Sequence, residues 1–260
     1  MTRRTIAIAA MLLAAATLFW TDAAGAKEWK EVRIGTEGAY APFNHFDANK
    51  NLIGFDIDIA KALCDKIKAK CTFVAQDWDG IIPALLANKY DAIVASMSMT
   101  DERKKVVDFT NRYYNSPASF VAKKGGAAND TTPAALKGKT IGAQGATVHA
   151  NFLEDKYAKS ATVKLYRTLD EANLDLQAGR VDYVLGDKFA MYEWLQGDGK
   201  EFEIVGPDYT DAKYFGDGIG IALRKQDKDL RDLFNKALQD IRADGSYEKI
   251  NKKYFPFSIY

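Results

Sequence analysis

Apolar positions along the chain change period several times, and each change marks an element. Val32-Arg33-Ile34 reads as a strand, and Phe55, Ile59, Leu63 and Ile67 then recur at helical spacing, which predicts one amphipathic helix over 55–69. Thr72-Phe73-Val74 opens a second strand over 72–75, a helix is expected over 79–88, and Asp91-Ala92-Ile93-Val94-Ala95 reads as a third strand. Strand–helix–strand alternation over short links implies a mostly parallel sheet covered by helices.

The pattern is written twice. Asp79…Leu85-x-Ala87-x-Lys89-x-Asp91 returns as Asp170…Leu176-x-Ala178-x-Arg180-x-Asp182, offset by 91 residues throughout. Lys30…Ile34-Gly35…Gly38 returns as Lys137…Ile141-Gly142…Gly145, offset by 107. A solenoid needs about three repeats or more, so two copies point instead to two related α/β lobes. Ligands of open parallel sheets bind beyond the carboxyl ends of the strands. Those ends carry Thr36-Glu37-Gly38-Ala39-Tyr40 and Ser96-Met97-Ser98-Met99-Thr100 in the first half. In the second half they carry Ala143-Gln144-Gly145-Ala146-Thr147 and Asp187. Polar groups gather at two ends per lobe, as a site between lobes requires.

The N-terminus follows another rule. Arg3 and Arg4, an apolar run from Ile6 to Trp20 and Ala24-Gly25-Ala26 have the three-part form of a secretory signal peptide, with cleavage expected after Ala26. A membrane anchor would need about 20 apolar residues. Cleavage leaves 234 residues with 34 basic and 34 acidic side chains. That balance gives no basic excess for a phosphate backbone, so no nucleic acid partner is expected. With two His and two Cys in the chain, no metal site or cofactor is expected either. Export favours a bridge between Cys64 and Cys71, against the alternative of two separate thiols. Seven residues apart on one helix their Cα atoms would lie about 10 Å apart, so a bridge requires the helix to end between them.

Candidate chemistry sits at the strand ends. Thr100-Asp101-Glu102-Arg103 has the form of a helix start with Thr100 as N-cap, and a cation is out of place in that first turn. Arg103 is therefore a candidate grip for a carboxylate, the alternative being an ordinary solvated arginine. Ser96 and Ser98 offer hydroxyls, or serve only the turn. Asp187 offers an ammonium partner, or a cap for the next helix. Glu37, in a Gly-rich turn, is a partner for a second cation or merely exposed. Tyr40 and Trp78 stack on a ligand or belong to the core. His149 follows Thr147, although a surface position is the plainer expectation. No G-x-S-x-G or P-loop is present, and neither His45 nor His149 has a nucleophile pattern beside it. Together these groups suit one ligand with a carboxylate, an ammonium and a further cation.

Thr36-Glu37-Gly38-Ala39-Tyr40-Ala41-Pro42-Phe43, Gly54-Phe55-Asp56-Ile57-Asp58-Ile59-Ala60 and Ser98-Met99-Thr100-x-x-Arg103 resemble the periplasmic polar amino-acid-binding proteins, the solute receptors of ABC importers. The resemblance extends over 31–260, including Tyr214-Phe215-Gly216 and Ala243-Asp244-Gly245-Ser246-Tyr247, and is nearest to the lysine/arginine/ornithine and histidine receptors. It implies a two-lobe, Venus-flytrap α/β fold of type II with two crossover hinge strands. The lobes would be 27–115 plus 217–260, and 116–216. Cys64 and Cys71 match the family's short disulfide loop. Arg103 would hold the ligand α-carboxylate with the Thr147 backbone and Ser98. Asp187 would take the α-ammonium with the Ser96 carbonyl and the Ser98 hydroxyl. Glu37 stands where basic-amino-acid receptors place an Asp, and Tyr40 and Trp78 would sandwich the aliphatic stem. Trp78 replaces a smaller apolar residue or Phe, Ala95 replaces a common Ser, and Val148 stands where Gln often sits.

The resemblance thus implies a periplasmic, monomeric receptor that captures a cationic L-amino acid by lobe closure and delivers it to an inner-membrane permease. Two alternatives remain at this point. One is a dehydratase or lyase on the same fold, against which the apolar Val148 argues. The other is a receptor for opines or other polar amino acids. A docking role at a chemoreceptor would read the same closed surface.

Overall fold

A computed structural model describes residues 29–125 and 129–260; the expected signal segment 1–26 lies outside them. Two five-stranded sheets share the α/β plan. The first orders its strands Lys70–Ala75, Glu31–Thr36, Ala92–Ile93, Ala222–Leu223 and Asp108–Phe109. The second orders them Thr162–Tyr166, Thr140–Gln144, Tyr183–Asp187, Ala118–Lys123 and Phe202–Tyr209. In each sheet the opening strand lies between two parallel partners, and an antiparallel strand follows.

The two sequence repeats have one structural meaning. Asp91 accepts the backbone N–H of Arg33 at 3.0 Å, and its own N–H donates to the Arg33 carbonyl at 2.8 Å. Asp182 does the same with Thr140, at 2.8 Å in both directions. The register is repeated too, Ile34 pairing with Ala92 and Ile141 with Tyr183. Ahead of each aspartate the helix is closed by a left-handed residue, Asn88 at φ 57° and Gly179 at φ 69°. The matched residues therefore form one clasp, which fastens the start of the opening strand in each sheet.

The predicted elements are present with shifted ends. The first helix is Phe55–Lys66, ending before Cys71, so that the Cys64–Cys71 disulfide closes with its Cα atoms 6.0 Å apart. The helix expected over 79–88 is a 3-10 turn at Trp78–Gly80 followed by a short helix, Ile81–Leu86. The third strand shrinks to Ala92–Ile93, because Ser96 adopts a left-handed backbone (φ 52°) and turns the chain out of the sheet.

Two segments cross between the sheets, 110–117 outward and 210–221 on the return. They are bonded to each other, Tyr113 N–H to Ile219 O at 2.9 Å and Ile219 N–H to Tyr114 O at 3.0 Å. Their anchor is aromatic. Phe55 meets Tyr113, Tyr114, Tyr247 and Phe255 at ring-centroid distances of 5.7–6.3 Å. The helix Lys228–Ala243 buries Leu230, Phe234, Ala237, Leu238 and Ile241 at 3- and 4-residue spacing and covers the same side. Phe120, Phe152, Tyr157, Tyr183 and Phe215 form a separate core in the second lobe.

The two clasps differ in burial. Asp91 also ties Arg33 and the 4% exposed Arg224, whereas the Asp182 side chain is 42% exposed. Asp91→Ala is expected to cost about 3 kcal/mol in chemical denaturation, since it strips a buried guanidinium of one acid. Asp182→Ala should cost about 1 kcal/mol, one backbone hydrogen bond. Equal losses would refute the distinction.

Candidate functional site

The strand ends of both sheets converge on one cavity lined by Glu37, Tyr40, Trp78, Ala95, Ser96, Ser98, Arg103, Gln144, Thr147, Val148 and His149. Seven of the eight sequence-predicted ligand residues are among them; Asp187 lies behind the wall.

Arg103 is held by a one-turn helix, Asp101–Lys104, whose Thr100 cap accepts the Arg103 N–H at 3.3 Å. The guanidinium donates to the Ser98 carbonyl at 3.0 Å and lies 5.2 Å from the Trp78 ring centroid. Among the described residues no carboxylate is within ion-pair distance of it. Burial pulls its pKa down to about 10, still far above neutrality, so a charged guanidinium faces the cavity. Gly216 lets the returning segment pass close to the turn that precedes this helix. At φ 72° its backbone passes the Met99 carbonyl, and a Cβ there would sit 2.5 Å from that oxygen.

Glu37 is buried, contrary to the open alternative of an exposed turn residue: its exposure is 8%. Gln144 of the second sheet donates to it at 2.5 Å. Burial pushes its carboxyl up to about 7, and the Gln144 bond opposes that push. Trp78 likewise reaches the other lobe, donating from Nε1 to the Ala146 carbonyl at 2.9 Å. Tyr40 is half-buried, and its phenol is raised by burial and by the negative charge of Asp187.

Asp187 is an N-cap. Its Oδ1 accepts from Phe189 N at 2.9 Å and Ala190 N at 3.3 Å, at the start of the helix Lys188–Gln196, and from the Ser116 hydroxyl at 2.6 Å. Burial raises its carboxyl to about 6 despite these donors. Ser96 departs from expectation in one respect. Its hydroxyl turns away from the cavity to Asp56 at 3.0 Å. Thr147 caps the helix Val148–Lys156, accepting from Ala150 N at 3.2 Å.

Sequence reasoning missed two residues. His149 is a cavity residue rather than a surface one; burial and Arg103 lower its pKa to about 3, so the imidazole is neutral. Gln144 was on the page as part of a strand end, but only its partner across 107 positions marks it out. Among the described residues no group of His, Cys, Asp and Glu is placed to hold a metal.

Residues 32–257 match the model of one family, the bacterial extracellular solute-binding proteins, family 3. The chain belongs to that family. Over 234 residues it is 48% identical to an L-arginine-binding protein of Pseudomonas aeruginosa, covering 89% of this chain and 90% of the relative. It is 44% identical over 232 residues to the lysine/arginine/ornithine-binding periplasmic protein of Escherichia coli, covering 88% and 89%. Among solved structures it superposes on a Salmonella typhimurium periplasmic binding protein described for high arginine specificity. That TM-score is 0.81 at 36% identity, covering 87% of this chain and 99% of the other.

In this family 3 protein the cavity rests on a buried support. Asp56, 0% exposed, accepts from Tyr113 at 2.6 Å, Asn44 at 2.9 Å and Ser96, while Asn44 accepts the Gly38 N–H at 2.9 Å. Burial raises the Asp56 carboxyl above the usual carboxylate range, to about 6. A carboxyl with a raised native pKa binds its proton more tightly when folded, so it favours folding in acid. That advantage is lost as pH rises from about 4 through 6. Wild type should lose up to about 3 kcal/mol relative to Asp56→Asn over that interval. Urea melts at pH 4, 5 and 6.5 measure this; parallel curves would rule it out.

Proposed function

We propose that the protein is an extracytoplasmic receptor for a cationic L-amino acid, with arginine, lysine and ornithine as principal candidates and histidine as a further one. One observation carries the reading: Arg103, without a carboxylate partner among the described residues, lies in the same cleft as buried Glu37, with Asp187 behind Tyr40. Two acids and one guanidinium complement a carboxylate, an α-ammonium and a side-chain cation. On this reading Arg103, the Thr147 backbone and Ser98 take the carboxylate. Asp187, with the Ser96 carbonyl and the Ser98 hydroxyl, takes the ammonium. Glu37 takes the side-chain charge, between Tyr40 and Trp78. The names of the relatives agree, since they bind arginine or lysine, arginine and ornithine.

The lobes would be 27–115 plus 217–260 and 116–216, moving about the paired crossovers. Binding then shifts the population toward the arrangement in which both lobes touch the ligand. A signal peptide cleaved after Ala26 would deliver the chain to the periplasm, and the closed monomer would dock on an inner-membrane permease. Binding rather than turnover is favoured by the site's chemistry. A histidine held near 3 is a poor general acid or base at neutral pH, and Val148 offers no proton.

Titration calorimetry with arginine, lysine, ornithine, histidine and glutamine tests the reading, with a prephenate-like acid included to look for turnover. Arg103→Ala should weaken every amino acid by about a hundredfold, the loss of a bidentate charged contact. Glu37→Gln should weaken arginine at least about tenfold and leave glutamine within about threefold. Binding of neutral or acidic amino acids alone would overturn the cationic assignment.

A further inference from the structure

Gln144 is the last residue of the strand Thr140–Gln144 and is 3% exposed. Its amide nitrogen has two hydrogens and two acceptors. One is Glu37 Oε1 at 2.5 Å, in the other lobe; the other is the carbonyl of Arg167 at 3.1 Å, in its own. Exchanging the amide's ends would set its oxygen against a carboxylate and a carbonyl at once, so the bonding fixes its orientation. The Arg167 carbonyl is itself a firm anchor. Arg167 donates its backbone N–H to Glu171 at 3.0 Å and its guanidinium to Asp77 at 3.2 Å. Glu37 Oε1 is thus committed to the second lobe, and none of the side-chain hydrogen bonds among the described residues ends on Oε2.

We infer that Gln144 is a positioning and specificity-determining residue, acting through Glu37. It fixes one carboxylate oxygen across the lobe interface and so aims the other at the side-chain cation of the ligand. This rests on the assignment of Glu37 to that cation. The charges around the carboxylate support the role. Asp170 and Asp77 push its pKa up along with burial, Arg167 draws it down, and the Gln144 amide opposes burial most strongly. Without that amide, Glu37 holds its proton to higher pH, and a proton on Glu37 competes with a ligand cation.

The test measures arginine affinity by calorimetry from pH 6 to 9 for wild type, Gln144→Met, Glu37→Gln and the double variant. Melting curves confirm folding, and Gln144→Leu replaces the Met variant should that one misfold. Gln144→Met should weaken arginine about tenfold at pH 7 and move the midpoint of its pH profile upward by at least about half a unit. In the Glu37→Gln background it should change arginine affinity by less than about twofold. A uniform loss at every pH, or a full loss in the Glu37→Gln background, would show only packing and overturn the inference. If Glu37→Gln leaves arginine binding intact, the assignment of Glu37 fails and the role of Gln144 falls with it.

Discussion

A buried carboxylate and a partly buried guanidinium that share one cleft without pairing with each other are what the rest of this molecule must accommodate. Desolvating an ionised group is expensive unless hydrogen bonds or opposite charge replace the water. Here the replacement is partial. Glu37 receives one amide, and Arg103 has one carbonyl and the face of Trp78. Asp187, by contrast, has a helix N-terminus and a serine hydroxyl. The unmet capacity of Glu37 and Arg103 distinguishes them from the structural ion pairs. Asp91, held by Arg33 and Arg224, is satisfied within the protein and kept below the usual carboxylate range.

The polar layer beneath the site explains why so small a set of contacts can be held still. Asp56 binds Asn44, Ser96 and Tyr113, and through them three segments far apart in sequence: the Gly38 turn, the turn after the third strand and the outgoing crossover. The crossover is also pinned by the aromatic cluster around Phe55 and by its bonds to the returning segment. The site floor and the outgoing crossover are therefore built from the same buried residues.

Much of this was legible in the sequence because it is local or repeated. The 91- and 107-residue offsets pointed to two related lobes, and the structure explains them as the aspartate clasps at Arg33 and Thr140. Thr100 as a cap and Arg103 as the anomaly in its first turn needed only helix-end chemistry. What stayed hidden depends on contact between the lobes. A glutamate in Thr36-Glu37-Gly38 looks solvent-exposed until Gln144 and the second sheet cover it. His149 falls on the first turn of a helix, where nothing local shows that Arg103 and Phe215 bound its environment. The shortened third strand was equally hidden, since a left-handed serine has no sequence signature of its own.

The same contact makes charge selection a property of closure on the proposed reading. Under the cover of the second lobe the Glu37 carboxyl stands at about 7, above the ordinary carboxylate range, chiefly through burial. At neutral pH and above, that shift corresponds to about 3 kcal/mol against an ionised carboxylate in this setting relative to a solvated one. A ligand cation beside the carboxylate would remove most of that cost, while a neutral side chain of the same length would leave it. Differential stabilisation is all a ligand can use to shift a conformational equilibrium. Closure over a cation is then favoured twice, by the direct contact and by relief of the buried charge. Trp78 and Gln144, which join the lobes beside that carboxylate, couple the two effects.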